Sequence, residues 1–414
     1  MQAVVLSIGR ELARGLWLDT HSRDIARALS ALGIDVVRHV TLDDDTASIA
    51  DALRRAADEA DVIIASGGLG PTQDDCTRSA LAEALGEELV ENAEAMAHLE
   101  RFAKARGQAV SRANRVQALL PKSARVLPNP VGTAVGIEAV IAGARLFCVP
   151  GVPVEMRTML DEQVLPQLAE SAGGRTMVVR TVRTFGLFES VVGEKLSDLM
   201  TPGRRPHVGT AVHSGVIDIH IYASGLRKEA EALVAADAAT VRDRLGTAVF
   251  GEGHTGLEDA AAALLAERHA TVAVAESCTG GLVAAKLVNV PGMSDHFVEG
   301  VIAYANASKV RTLGVDETLI ARHGAVSEAV ARAMAEGVRA RAAADVALGV
   351  TGIAGPGGGT PDKPVGTVWM AVADSAGTEA ARHLFMGDRA QIRQRAAYAA
   401  LNMLRLRLME AHRR

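Results

Sequence analysis

The chain has 414 residues, a formal net charge of −5, 49% hydrophobic residues, 22% charged residues and 3% aromatics. That length exceeds an ordinary single domain and predicts two or three domains with ample core. The charge excludes a global basic field for nucleic acid, and so few aromatics exclude a base-stacking platform, so no direct nucleic-acid binding is expected.

The opening "MQAVVLSIG" has no basic n-region and is too short to span a bilayer. The three cysteines, Cys76, Cys148 and Cys278, are far apart and form no CxxC pattern. Both features predict a cytoplasmic protein without disulfides and without a membrane partner.

The first third alternates strand and helix. "AVVLSIG" (3–9) is a nearly continuous apolar run, as a buried parallel strand requires. A helical stretch near 20–32 ends before Gly33, and "DVVRHVTL" (35–42) reads as a strand. "TASIADALRRAADEA" (46–60) sets Ile49, Leu53 and Ala56 on one helical face. "DVIIASGG" (61–68) is a third strand running into glycines. "GIEAVIAGARLFCVPG" (136–151) reads as two strands with Gly143 in the turn, and a helix near 153–168 follows. The order predicts a doubly wound α/β domain over 1–170.

"SAGGR" (171–175) is a linker candidate. From 176 to 250 a strand, a helix at "ESVVGEKLSDLM", strands around "GVIDIHIYA" and a helix over 228–245 predict a small α+β middle domain. It contains no GxxG phosphate clamp. After "GEGHTG" (251–256), residues 255–414 again read as α/β. A helix at 257–268 leads to the strand "TVAVAE", then "EGVIAYAN" (299–306), a helix from Ser327, the strands "DVALGVTG" and "GTVWMAVAD", and a long C-terminal helix.

Four segments of this last domain carry chemistry. "ESCTGG" (276–281) ends a strand, where ligands of open α/β sheets bind. Thr279 can cap the next helix, and Gly280 and Gly281 let a ligand approach backbone N–H groups. Ser277 and Cys278 compete for the role of nucleophile. For a base, His296, His323, His383 and His412 offer no Asp–His pattern, whereas Lys309 in "YANASKV" follows Tyr304 by five residues. A serine, a lysine lowered in pKa and a tyrosine relay suffice for acyl transfer. "VTGIAGPGGGTPDKPVGT" (350–367) holds five glycines in 352–359 and can wrap a phosphate or ribose. Thr351, Gly352, Gly355 and Gly357 are its candidate contacts. "GDRAQIRQRAAYAAL" (387–401) starts a helix with Asp388 as N-cap, and Arg389 and Arg393 share a face suited to a phosphate.

In order and spacing, "AESCTGGLVAAKL", "GVIAYANASKVRTLGV", "HGAVSEAVARAMAEG", "VTGIAGPGGGT…KPVGTVW" and "GDRAQIR" resemble the C-terminal domain of the CinA (competence/damage-inducible) family, a nicotinamide-nucleotide amidohydrolase. The resemblance implies hydrolysis of the carboxamide of nicotinamide mononucleotide, with release of ammonia and without a cofactor. It implies Ser277 as nucleophile with Tyr304 and Lys309 as partners. The tetrahedral oxygen is then expected on N–H groups of the 279–281 turn.

"SGGLGPTQDD" (66–75) also ends a strand. Gly67, Gly68, Gly70 and Thr72 offer a phosphate cradle, and Asp74 and Asp75 offer ligands for a hard cation. Together with "SIGRELARG", "NRVQALLP", "NPVGTAVGI" and "VPGVPVEM" it resembles the molybdopterin-binding-like domain that opens CinA proteins. That implies a metal-dependent ADP-ribose pyrophosphatase using Mg, Mn or Co, with Glu11 in the site. Arg10, Leu16 and His21 depart from the family pattern G-T-E-L-L-x-G-x-x-x-[ND]-[TS]-N. Pyridine nucleotides and ADP-ribose are the expected small-molecule partners. The resemblance further implies a homodimer and a possible recombination-protein partner, and leaves a nucleotide or pterin sensor as the alternative to an enzyme.

Overall fold

The structure, a computed structural model, describes residues 1–411. By internal contacts it forms two units, 1–178 with 223–233, and 179–222 with 234 onward.

The first unit is built on a six-stranded sheet. Its strands are β1 (Gln2–Ile8), β2 (Asp35–Leu42), β3 (Val62–Ser66), β6 (Arg125–Leu127), β7 (Gly136–Ile141) and β8 (Ala144–Val149), in the order β2-β1-β3-β8-β7-β6. Two short strands, β4 (Leu89–Glu91) and β5 (Leu119–Pro121), pair apart from it. β2, β1, β3 and β8 run parallel, while β7 and β6 are antiparallel additions. The tight Ala142-Gly143 turn, both residues at positive φ, forces that hairpin. The sheet is covered on both faces, so β1 and β3 are buried almost throughout. The helix Thr46–Glu59 buries Ile49, Ala50, Leu53 and Ala56, as its spacing predicts, and the Asp45 side chain caps it through Ser48 N. The helix expected over 153–168 instead opens into a π turn at Leu160–Val164 before a helix at Leu165–Ser171. Pro166 explains it, because proline removes one ladder N–H and clashes with the carbonyl four residues back.

The middle segment forms a sheet in the order β10-β11-β9-β12, from β9 (Arg175–Phe185), β10 (His207–His213), β11 (Val216–Leu226) and β12 (Val249–Glu252), with the helix Arg227–Leu245. The helix expected over "ESVVGEKLSDLM" stops at Lys195. Arg244 donates to the Lys195 carbonyl and holds the Asp198 carboxylate, taking the acceptor that another helical turn would use.

The C-terminal domain is a five-stranded sheet in the order β14-β13-β15-β16-β17: β13 (Val272–Glu276), β14 (Phe297–Ile302), β15 (Val346–Gly352), β16 (Thr367–Asp374) and β17 (Gly377–Leu384). β14, β13 and β15 are parallel, and β16 and β17 antiparallel. β13, between β14 and β15, is fully buried, and the turn after Glu276 lies at the carboxyl edge of these parallel strands. Among the described residues no helix is long and apolar enough to cross a membrane.

Candidate active site

The turn after β13 brings Ser277 to Lys309. Lys309 is 1% exposed, on the helix Asn306–Leu313, and its Nζ lies 3.1 Å from Ser277 Oγ. The same nitrogen lies 3.0 Å from the carbonyl oxygens of Ala303 and Tyr304. Those carbonyls can only accept. A neutral amine would give its two N–H bonds to them and turn its lone pair to the serine hydroxyl, the one neighbour able to donate. Burial lowers the Lys309 pKa from its ordinary 10.5, which favours that neutral form.

Cys278 is buried, its pKa pushed up to about 12 by burial. Its Sγ would lie 3.0 Å from a Cβ placed at Gly352. Burial favours the neutral thiol, which packs against the glycine there.

The turn differs from the expected cap. Thr279 does not cap the helix Leu282–Val288; its Oγ1 is buried without a hydrogen-bond partner. The carboxylate of Glu276, 1% exposed, accepts from Gly281 N, Val283 N and Ala284 N instead. A carboxylate takes several N–H donors of a helix start where a hydroxyl takes one. The consequence reaches the oxyanion site. Gly281 N–H is spent on Glu276 and Gly280 N–H on the Ser277 carbonyl. The N–H groups of Cys278 and Thr279 meet no carbonyl or carboxylate oxygen among the described residues and face the Cys278 sulfur instead. Two of the three N–H groups of the expected 279–281 cradle are therefore already bonded. Glu276 was overlooked in the sequence, although a carboxylate ending an apolar strand is itself the signal.

Tyr304 is not poised between Ser277 and Lys309. It is 59% exposed, and its hydroxyl lies 2.9 Å from a guanidinium nitrogen of Arg389. Arg389 also donates to the Gly355 carbonyl at 2.7 Å, which ties the glycine-rich loop to the start of the C-terminal helix Arg389–Ala411. Asp388 and Gln391 cap that helix reciprocally, as its sequence predicts. Arg393 donates to the Thr279 carbonyl at 2.8 Å, beside Gly280. Thr351 spends its hydroxyl on the Ala325 carbonyl, and Gly357 is exposed with open space where a Cβ would be. The structure therefore brings together Ser277, Lys309, Tyr304, Gly355, Arg389 and Arg393. Among the described residues Arg389 and Arg393 have no carboxylate partner, so their positive charge is available to an anionic ligand. His296 bonds the Ala270 carbonyl and is no base for Ser277; His412 lies outside the described residues.

In the first unit a cavity of about 340 Å³ is lined by Glu11, Gly67, Gly68, Gly70, Asp74 and Asp75, and also by Asp44, Gln117 and Glu155. Gly67 has φ +111°, and a Cβ there would lie 2.2 Å from the Ile8 carbonyl oxygen. Buried Arg78 holds the loop, donating to the Leu69 and Gly70 carbonyls. Behind the lining Glu155, buried Asn129 accepts from Val131 N and Gly132 N and donates to the Glu155 carboxylate. Thr72 bonds Asp75 and does not line the cavity. Arg10 does not plug the cavity; its guanidinium pairs with Asp43. His21 bonds Ser66 Oγ at 2.8 Å. Burial, then the charges of Glu11 and Asp74, raises the Asp44 pKa. Among the described residues no group of three or more His, Cys, Asp or Glu side chains is arranged to hold a metal ion. Thr72 engages one oxygen of the Asp75 carboxylate, and Asp74 and Asp75 both line the cavity.

Comparison with known proteins accounts for the whole chain. Residues 254–408 match the CinA C-terminal domain, 4–170 the "Probable molybdopterin binding domain" and 179–251 the "Damage-inducible protein CinA KH domain". A CinA-like protein of Citrifermentans bemidjiense is 44% identical over 99% of this chain and 98% of its own length. A putative competence-damage inducible protein of Symbiobacterium thermophilum is 43% identical over 99% of both chains. Among solved structures, CinA from Thermoplasma acidophilum is 33% identical over 41% of this chain and 97% of its own, with a TM-score of 0.38. A CinA-superfamily protein from Escherichia coli is 32% identical over 39% of this chain and 98% of its own, with a TM-score of 0.36. With relatives this similar along nearly its full length, the chain belongs to the CinA family.

Proposed function

We propose that the C-terminal domain hydrolyses the carboxamide of nicotinamide mononucleotide to the carboxylate and ammonia. The observation that carries this is the buried amine of Lys309, 3.1 Å from Ser277 Oγ, with two carbonyls as its other neighbours. Ser277 Oγ attacks the carboxamide carbon while its proton passes to Lys309 Nζ. The carbonyl oxygen becomes the oxyanion and meets the N–H groups of Cys278 and Thr279. Lys309 returns the proton to the departing nitrogen, and ammonia leaves an acyl-Ser277. Water then attacks that ester, its proton going to Lys309 and on to Ser277 Oγ, and the carboxylate is released. Arg389 and Arg393 supply the positive charge an anionic nucleotide requires. Tyr304, bonded to Arg389, serves this reading as an anchor rather than a relay.

The test is ammonia release from nicotinamide mononucleotide. Ser277→Ala should abolish it and Cys278→Ala should leave most of it. Loss in the second variant with retention in the first removes this reading.

For the N-terminal domain we propose a nucleotide ligand in the glycine-lined cavity, with ADP-ribose the substrate to try. Its support is the size of the cavity and the backbone approach that Gly67 and Gly68 permit. Incubation of ADP-ribose with Mg²⁺, Mn²⁺ or Co²⁺ should yield AMP and ribose phosphate. Absence of turnover with all three removes the pyrophosphatase.

A further inference from the structure

A second cavity, of about 520 Å³, lies between the middle sheet and the C-terminal domain, within one unit. Phe185, Phe188 and Phe385 line it, in a chain with seven phenylalanines among 414 residues. Phe188 is 81% and Met386 73% exposed, so large apolar area faces the groove without cover. Two guanidinium groups join them. Arg382 donates to the Asp362 carbonyl, and Arg395 donates to the Met386 carbonyl. The Arg395 Nε is buried with no hydrogen-bond partner, and neither arginine has a carboxylate partner among the described residues. The lining carboxylate, Glu189, accepts from Thr210.

Aromatic rings together with two guanidinium groups that have no carboxylate partner among the described residues match one ligand chemistry. The rings take a flat apolar body, and the guanidinium groups take an anion. We infer that this groove is a binding site for a planar aromatic anion, separate from the Ser277 cleft and coupled to it.

The coupling is structural. Phe385 N–H donates to the Gly366 carbonyl, and a Cβ at Gly366 would lie 2.0 Å from the Phe385 oxygen, so the two segments move together. Gly366 closes the glycine-rich loop that Arg389 grips at Gly355. Arg382 holds the same loop at Asp362, and Met386 precedes Arg389 by three residues. A ligand that orders Phe385 and Met386 therefore orders the loop over the Ser277 cleft.

The experiment uses the full-length chain and the fluorescent aromatic sulfonate 8-anilinonaphthalene-1-sulfonate. Saturable binding of one probe per chain is expected. Phe188→Ala and Arg382→Gln alter exposed side chains outside the Ser277 cleft, and each should weaken binding about tenfold, the scale of one ring contact or one charge-assisted hydrogen bond. Hydrogen exchange over 353–366 and at Phe385 should slow when the probe is bound. Wild-type affinity in either variant, or no saturable binding, overturns the site. Binding without slowed exchange overturns the coupling. Neither readout requires amidase activity, so failure here and failure of the proposed hydrolysis are told apart.

Discussion

Two turns in this protein share one design and carry opposite charge. Both follow a buried parallel strand, β3 or β13, and both put adjacent glycines at positive φ. After β13 the side chains that converge are Lys309, Arg389 and Arg393, and the one carboxylate, Glu276, is consumed by backbone N–H groups. After β3 the cavity is ringed by Glu11, Asp44, Asp74, Asp75 and Glu155, while Arg78 is consumed by backbone carbonyls. In each case the side chain of the minority sign is held by backbone groups of the loop. The glycine turns are alike in backbone, and the long side chains brought from elsewhere set the opposite local charge around them.

The contrast breaks first at Lys309. Lys309→Met keeps the volume and removes the base, so ammonia release should fall by about 10²–10⁴, the usual range for a general base. Circular dichroism should show the fold retained. Full activity in this variant would leave the C-terminal turn without its chemistry.

The loop-holding charges come next. Arg78→Met should destabilise the first unit by about 1–3 kcal/mol, because it removes one donor from each of the Leu69 and Gly70 carbonyls, of which Leu69 keeps only the longer bond from Gln117. Thermal unfolding measures it. An unchanged transition would mean that the arginine is not what shapes the acidic cavity.

Tyr304→Phe sharpens the comparison further. A proton relay would lose activity on the scale of a missing catalytic group; an anchor for Arg389 should lose about tenfold or less. The double variant with Arg389→Ala should then lose little more than Arg389→Ala alone.

The smallest effect is a pH dependence. Lys309 has its folded pKa lowered by burial, so between that pKa and about 10.5 the unfolded chain binds the extra proton. Stability from this group therefore rises with pH through that window, and its charged form destabilises the fold below it. Activity should rise in the same direction as the amine becomes neutral. Lys309→Met should flatten the stability profile there, measured by denaturant unfolding across pH.

Much of the fold was legible along the chain. The apolar runs of β1, β3 and β13, the helical face of Ile49, Leu53 and Ala56, and the Asp388 cap all depend on neighbours within a few residues. The misread helices at 160 and 196 show the limit of such reading. One yields to Pro166, whose signal was present, and the other to Arg244, far away in sequence. The motifs marked the site strands and turns, yet Arg78, Asn129 and Gln117 passed as ordinary polar residues.

By itself the sequence determined the family, the alternation of strand and helix, and the turns at which ligands can approach backbone, because periodicity and glycine act locally. Tertiary structure alone decided that Lys309 is buried with a hydroxyl and two carbonyls, that Glu276 displaces Thr279 as the cap, and that Tyr304 turns to Arg389. Desolvation and hydrogen-bond competition depend on which groups meet across the fold, and no spacing along the chain encodes that meeting directly.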